Sequence, residues 1–181
     1  MKGKRSNVEF EKHEVIATVE GDTKTWYLKI PETRMNSIKF INSGGIMAVT
    51  GDYGNWIFCR EFIPNGKEGG VSDQYWEEKL RIASTQNPYE FDEEETIKEI
   101  NRIREEEEDL TQEENDYLDE CISAAQEGGE VEYNSFAYQN GVGRFSDYES
   151  VPSAEKRTQF WLKAVFDGFD EICRRMKEGS K

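Results

Sequence analysis

The hydrophobic period changes near Pro64 in this chain of 181 residues. Up to Phe62 apolar residues alternate with polar ones, and beyond Pro64 they recur at helical spacing. Strands followed by helices, rather than strands alternating with them, predict an α+β fold. Val8-Glu9-Phe10 reads as an opening strand, followed by Glu14 to Glu20 and Thr25 to Ile30, which Pro31 ends. Ile38 to Ile41 and Ile46 to Thr50 flank Asn42-Ser43-Gly44-Gly45, a hairpin spacer, and Trp56 to Phe62 follows the turn Gly51 to Asn55. Connections this short join antiparallel neighbours, so residues 8–63 predict an antiparallel sheet of four or five strands.

Past the turn signals Pro64-Asn65-Gly66 and Gly69-Gly70, Ser72 or Asp73 is placed to cap a helix carrying Tyr75, Trp76, Leu80 and Ala83. Asp92 with Glu95 opens a second helix with Ile97, Ile100 and Ile103 on one stripe. Thr111 with Glu114 is a capping box for a third, which runs to Gly128-Gly129. Val131 to Tyr138 alternates like a strand. The final helix is expected from a cap at Ser153 to about Lys177, its broad apolar stripe of Trp161, Leu162, Val165, Phe166, Phe169 and Ile172 lying over the sheet. The expected organisation is one α+β domain over residues 1–181, with 72–127 as a helical acidic insertion and 131–178 as strand plus C-terminal helix.

Charge is distributed as unevenly as period. Glu90 to Glu132 holds 19 Asp and Glu against Lys98, Arg102 and Arg104, net −16, in a chain whose total is −15. Such a field repels nucleic acid and anionic lipid and attracts basic protein surfaces. Solvated faces commonly carry charge runs. Yet like charges at i,i+4 within Glu105 to Asp109 oppose their own helix by about a few tenths of a kcal/mol per pair. A partner with a cationic channel would convert that cost into binding rate and specificity. Glu105, Glu106, Glu107, Glu108, Asp109, Glu113, Glu114, Asp116, Asp119 and Glu120 are the candidate contacts. Tyr53 and Trp56 in the turn Gly51 to Trp56, with Tyr133, Phe136, Tyr138, Phe145 and Tyr148 later, form an aromatic patch whose members are candidates as anchors or as the edge of a core.

Motifs for chemistry do not assemble. One histidine, His13, among Glu11, Lys12 and Glu14, reads as a solvated strand edge rather than a base. Cys59, Cys121 and Cys173 form no C-x-x-C pair and read as reduced thiols, two of them on apolar helix faces. Asp109 to Glu120 lacks the ligand alternation and central glycine of an EF-hand. Gly141-Val142-Gly143-Arg144 is a turn, too short for a phosphate loop. The expectation is a non-enzyme with no catalytic residue, cofactor or metal. No apolar run approaches the ~20 residues of a membrane span. The basic start Met1 to Ser6 leads into alternating polar sequence and not into a signal peptide's apolar region. Reduced thiols then point to a cytoplasm.

The stretch Phe40-Ile41-Asn42-Ser43-Gly44-Gly45-Ile46-Met47-Ala48-Val49-Thr50-Gly51-Asp52-Tyr53-Gly54-Asn55-Trp56-Ile57-Phe58-Cys59-Arg60-Glu61-Phe62, about an eighth of the chain, resembles a segment of small phage and mobile-element proteins. These include anti-CRISPR proteins that inhibit the type II effector nuclease. The resemblance implies an inhibitor in the cytoplasm of an infected bacterial host, binding the RNA-guided nuclease with its guide RNA and blocking target DNA engagement or cleavage. It transfers no individual residue. Two alternatives stand beside it: a phage or bacterial adaptor that binds protein through its sheet and aromatic turn, and a metal-dependent hydrolase.

Overall fold

The computed structural model describes residues 5–64, 71–83 and 87–178, and the turn signals at Asn65-Gly66 and Gly69-Gly70 and the basic residues before Arg5 lie outside it. The architecture is α+β, with a six-stranded antiparallel sheet and a C-terminal helix packed on it. The chain divides into two compact units, Met1–Pro88 with Thr158–Lys181, and Tyr89–Arg157.

In the first unit the strands follow chain order: β1 (Glu14–Glu20), β2 (Thr23–Lys29), β3 (Ile38–Ser43), β4 (Ile46–Gly51), β5 (Trp56–Phe58) and β6 (Leu80–Ala83). Ser43 faces Ile46 across a two-residue turn in which Gly44 and Gly45 have φ of 61° and 83°. Positive φ at both central residues is what a hairpin matching the sheet's twist requires, which is why two glycines stand there. Register then sorts the faces. Ala17, Trp26, Phe40, Val49, Trp56 and Ala83 form one cross-strand row. Ile41, Ala48, Ile57 and Ile82 form the neighbouring row, which by the two-residue pleat points the other way.

Leu162, Val165, Phe166, Phe169 and Ile172 of α4 (Phe160–Glu178) close the inner face together with Trp76 of α1 (Asp73–Lys79). Each such side chain, fully removed from water, contributes about 1.5–3 kcal/mol before entropy is counted. Trp76 is stacked between Phe62, 4.2 Å away, and Phe166, 5.0 Å away. Asp167 is buried on α4 without being stranded, because it accepts hydrogen bonds from the Ser6 amide and hydroxyl, both 2.7 Å, and from the Arg5 amide. Buried carboxylates survive only with such partners.

Four expectations are corrected. Val8 to Phe10 forms no strand, although Phe10 enters the core. The helix capped by Ser72 ends at Lys79 rather than Ala83, and residues 80–83 pair with β5 as the sixth strand. The pull is the free edge of β5, whose donors and acceptors take Leu80 to Ala83 in preference to another helical turn. Cys59 is exposed, and β5 stops at Phe58 instead of reaching Phe62. His13 is buried, its Nε2 2.7 Å from the Asn36 carbonyl and its ring edge-on to Phe10.

The second unit holds β7 (Tyr89–Phe91), α2 (Glu93–Glu106), α3 (Gln112–Gln139) and β8 (Lys156–Thr158), with β7 and β8 paired. Its core is Ile100, Tyr117, Leu118, Cys121, Ala125, Tyr133, Ala137 and Phe145. The strand expected over Val131 to Tyr138 is instead helical, entered through a kink where Gly129 has φ 69° and ψ −156°. Tyr133 and Ala137, four apart, are the residues buried there, and the Tyr133 hydroxyl donates to the Pro152 carbonyl at 2.6 Å. Tertiary burial at i,i+4 outweighs the alternating pattern. Nor does Ser153 cap the last helix, which begins at Phe160. The backbone around Ser153 is already engaged: the Glu155 amide donates to Thr96 Oγ1 at 2.9 Å, and the Glu155 carbonyl accepts from Asp92, the cap of α2.

Gly168 leaves little room where α4 meets the sheet: a Cβ there would lie 2.7 Å from Ile38 Cδ1 and 3.5 Å from Leu28 Cδ2. Gly168→Leu is expected to lose about 2–3 kcal/mol in urea unfolding through overpacking. An unchanged midpoint would show that helix and sheet yield at this point.

Candidate partner-binding surface

Contacts and charge divide this chain at nearly the same places. The second unit carries 22 Asp and Glu against six Lys and Arg, net −16, and the first carries 16 acids against 17 bases, net +1. The acidic stretch is therefore one folded object.

Its cations are all engaged. Lys98 pairs with Glu95, Arg102 with Glu99 and Glu106, and Arg104 with Asp119. Arg144 pairs with Glu107 and Glu114, Lys156 with Glu130, and Arg157 with Glu90. Exposed pairs of this kind contribute about 0–1 kcal/mol each, so they orient side chains more than they stabilise. They leave 14 of the unit's 22 carboxylates without a cation and its net charge at −16.

Glu114 is the exception to this solvated pattern. Its side chain is buried and completes the capping box of α3, with Oε2 accepting from the Thr111 amide at 2.8 Å and Oγ1 at 2.9 Å. Oε1 accepts from the Arg144 amide at 2.9 Å and Nε at 3.2 Å. Backbone amide donors, Arg144 first and Thr111 next, hold its carboxyl down to about 2. Arg144 also reaches Glu107 and the Asp109 carbonyl, 3.4 Å away. One side chain thus pins both ends of the α2–α3 connection, where Asp109 sits at φ 70°.

The ten acidic candidates separate on this geometry. Glu106, Glu107, Glu114 and Asp119 are ion-paired. Glu105, Glu108, Asp109, Glu113, Asp116 and Glu120 are exposed with no ion pair among the described residues. Glu113, Asp116 and Glu120 share one face of α3 with Asp119 and Glu127, opposite Leu118, Cys121 and Ala125. From Glu113 to Glu127 the axis rises roughly 21 Å, so these five carboxylates recur about every 5 Å on average, with a gap of about 10 Å between Glu120 and Glu127. One DNA strand carries a phosphate about every 3.4 Å.

Tyr53 and Trp56 lie in the other unit, 6% and 1% exposed, and the Trp56 ring donates to the Tyr53 carbonyl at 2.8 Å. Their rings belong to the core of the sheet unit. Sequence reading placed Arg144 only in a turn and Tyr138 and Tyr148 only in an aromatic patch, and missed both the clamp and the stacked pair. Arg144 had a signal, being the lone cation between Arg104 and Lys156. The pairing of the tyrosines had none, because they lie ten positions apart across a helix end.

No group of three or more His, Cys, Asp or Glu is arranged to hold a metal ion among the described residues. No described helix is long and apolar enough to cross a membrane. No protein-family model, curated protein or solved structure matches the chain.

Because the folded-state pKa of Glu114 is depressed, its carboxylate stabilises the fold above the unfolded value of about 4.3 and loses that effect as pH falls toward 2. Glu114→Gln is expected to melt lower than the parent at pH 7, with the gap narrowing between about pH 5 and pH 2. A gap independent of pH in thermal melts would show that the ionised form does not hold the connection.

Proposed function

We propose that the protein is a non-catalytic inhibitor that docks its acidic helical unit onto a basic nucleic-acid-handling protein, a type II CRISPR effector nuclease loaded with guide RNA, in the cytoplasm of an infected bacterium. The observation that carries this reading is the confinement of the whole net charge to one unit whose cations are all internally paired. A molecule needing charge only for solubility has no reason to leave its larger unit neutral. Such nucleases hold heteroduplex and displaced strand in positively charged channels and read a short duplex motif through arginines. A ridge of closely set carboxylates, less dense than the phosphates of a DNA strand, competes for those surfaces and blocks DNA engagement or cleavage. The segment Phe40 to Phe62, which resembles anti-CRISPR proteins, supports the choice of partner.

A second reading, a protein-binding adaptor, is favoured by the outer sheet face. Ile16, Ile46 and Ile82 are there 41%, 42% and 52% exposed.

Replacing Glu105, Glu108, Glu113, Asp116 and Glu120 together by Lys reverses the ridge without touching a paired carboxylate or the capping box. Inhibition of target cleavage by the guide-loaded nuclease is expected to weaken about tenfold or more and to lose its salt dependence. Unchanged inhibition and unchanged salt dependence would reject acidic mimicry, and loss on Ile82→Lys alone would favour the adaptor.

A further inference from the structure

Two large aromatic rings of the acidic unit stand in water. Tyr148 is 75% exposed and Tyr138 is 40% exposed, while the other large aromatics of the unit are buried or half-buried. Their rings are stacked, 4.5 Å between centroids and 17° between planes. Stacking covers one face of Tyr148, and its exposure leaves the opposite face open to solvent. Tyr148 opens a short 3-10 turn, Tyr148–Ser150, and Tyr138 comes from the last turn of α3. On either side of Tyr148 in the chain, Asp147 and Glu149 are exposed and have no ion pair among the described residues.

An open tyrosine face suits two planar partners, a nucleobase or a guanidinium. The surroundings separate them. A base brings a phosphate, which Asp147, Glu149 and the net −16 of the unit repel. A guanidinium brings a positive charge that the ring face and the carboxylates both attract, and its fork can bond a carboxylate while its plane lies on the ring. No arginine or lysine of the protein lies over either ring among the described residues, in contrast to Tyr75, which has Arg60 at 5.4 Å and Lys79 at 5.0 Å.

We infer that the Tyr138–Tyr148 stack with Asp147 and Glu149 is an acceptor site for an arginine side chain projecting from a basic protein surface. It gives the acidic unit what a charge ridge lacks, a point that distinguishes one basic partner from another. The inference rests on the proposed docking of this unit but is tested apart from it.

The probes are a short oligoarginine peptide, an oligolysine peptide of equal length and a short single-stranded oligothymidylate, titrated into the full chain at low salt. Tyrosine NMR shifts and calorimetry supply the readouts. Oligoarginine is expected to bind more tightly than oligolysine and to shift the Tyr148 ring. Tyr148→Ala is expected to weaken oligoarginine about three- to fivefold, with oligolysine little changed. Tyr148→Phe, which keeps the ring face, is expected to retain arginine binding. Equal affinity for the two peptides, indifferent to Tyr148→Ala, overturns the site in favour of a diffuse field. Oligothymidylate shifting the Tyr148 ring also overturns it, in favour of base stacking. A circular-dichroism melt of each variant separates loss of binding from loss of fold. Failure to inhibit any nuclease removes the proposed function while leaving the peptide results standing.

Discussion

Fourteen carboxylates of one unit have no cation beside them, most of them on α2, α3 and the connection between, and that surplus shapes how the unit is put together. They have to stay in water, so the two helices that carry them have only narrow faces to give to a core. Ile100 is the one fully buried isoleucine of α2, and α3 gives Tyr117, Leu118, Cys121 and Ala125. With so little apolar area, polar contacts fix the connection between the helices. Glu114 is the one acid of the α2–α3 connection taken out of solvent, and four donors from Thr111 and Arg144 surround it. Like Asp92 at the start of α2, Glu114 departs from the solvated rule because its carboxylate caps a helix.

The sheet unit obeys the opposite economy. Its charges nearly cancel, and its stability comes from an aromatic layer between sheet and α4, with Trp76 stacked on Phe62 and Phe166. Among the polar groups of that layer, the buried Asn42 donates its amide to the Phe62 carbonyl at 2.7 Å, while its Oδ1 and Trp76 Nε1 have no hydrogen-bond partner among the described residues. Division of labour follows: one unit supplies rigidity, and the other supplies a field. In the proposed docking, ridge and tyrosine pair act together, since a field accelerates encounter and a stacked guanidinium selects among basic surfaces.

Much of this was legible before any coordinates. The Gly44-Gly45 hairpin, the caps at Asp92 and Thr111 and the amphipathic stripe of α4 are local patterns with local causes, and each stands where its residues predict. Misreadings fell where a segment served a neighbour distant in sequence. Leu80 to Ala83 satisfies the edge of β5, Val131 to Tyr138 follows burial against Tyr117 and Phe145, and Glu155 is claimed by the cap of α2. His13 and Trp56 lie among polar or turn residues in sequence, yet both are buried.

Sequence by itself determined the fold class, the segregation of charge and the solvation of the acidic helices, because period and charge density are properties of contiguous residues. Tertiary structure alone decided which carboxylates remain free, for that depends on where Arg104 and Arg144 reach. It also decided that Tyr138 and Tyr148 meet, since only the turn after α3 brings two such separated rings to 4.5 Å.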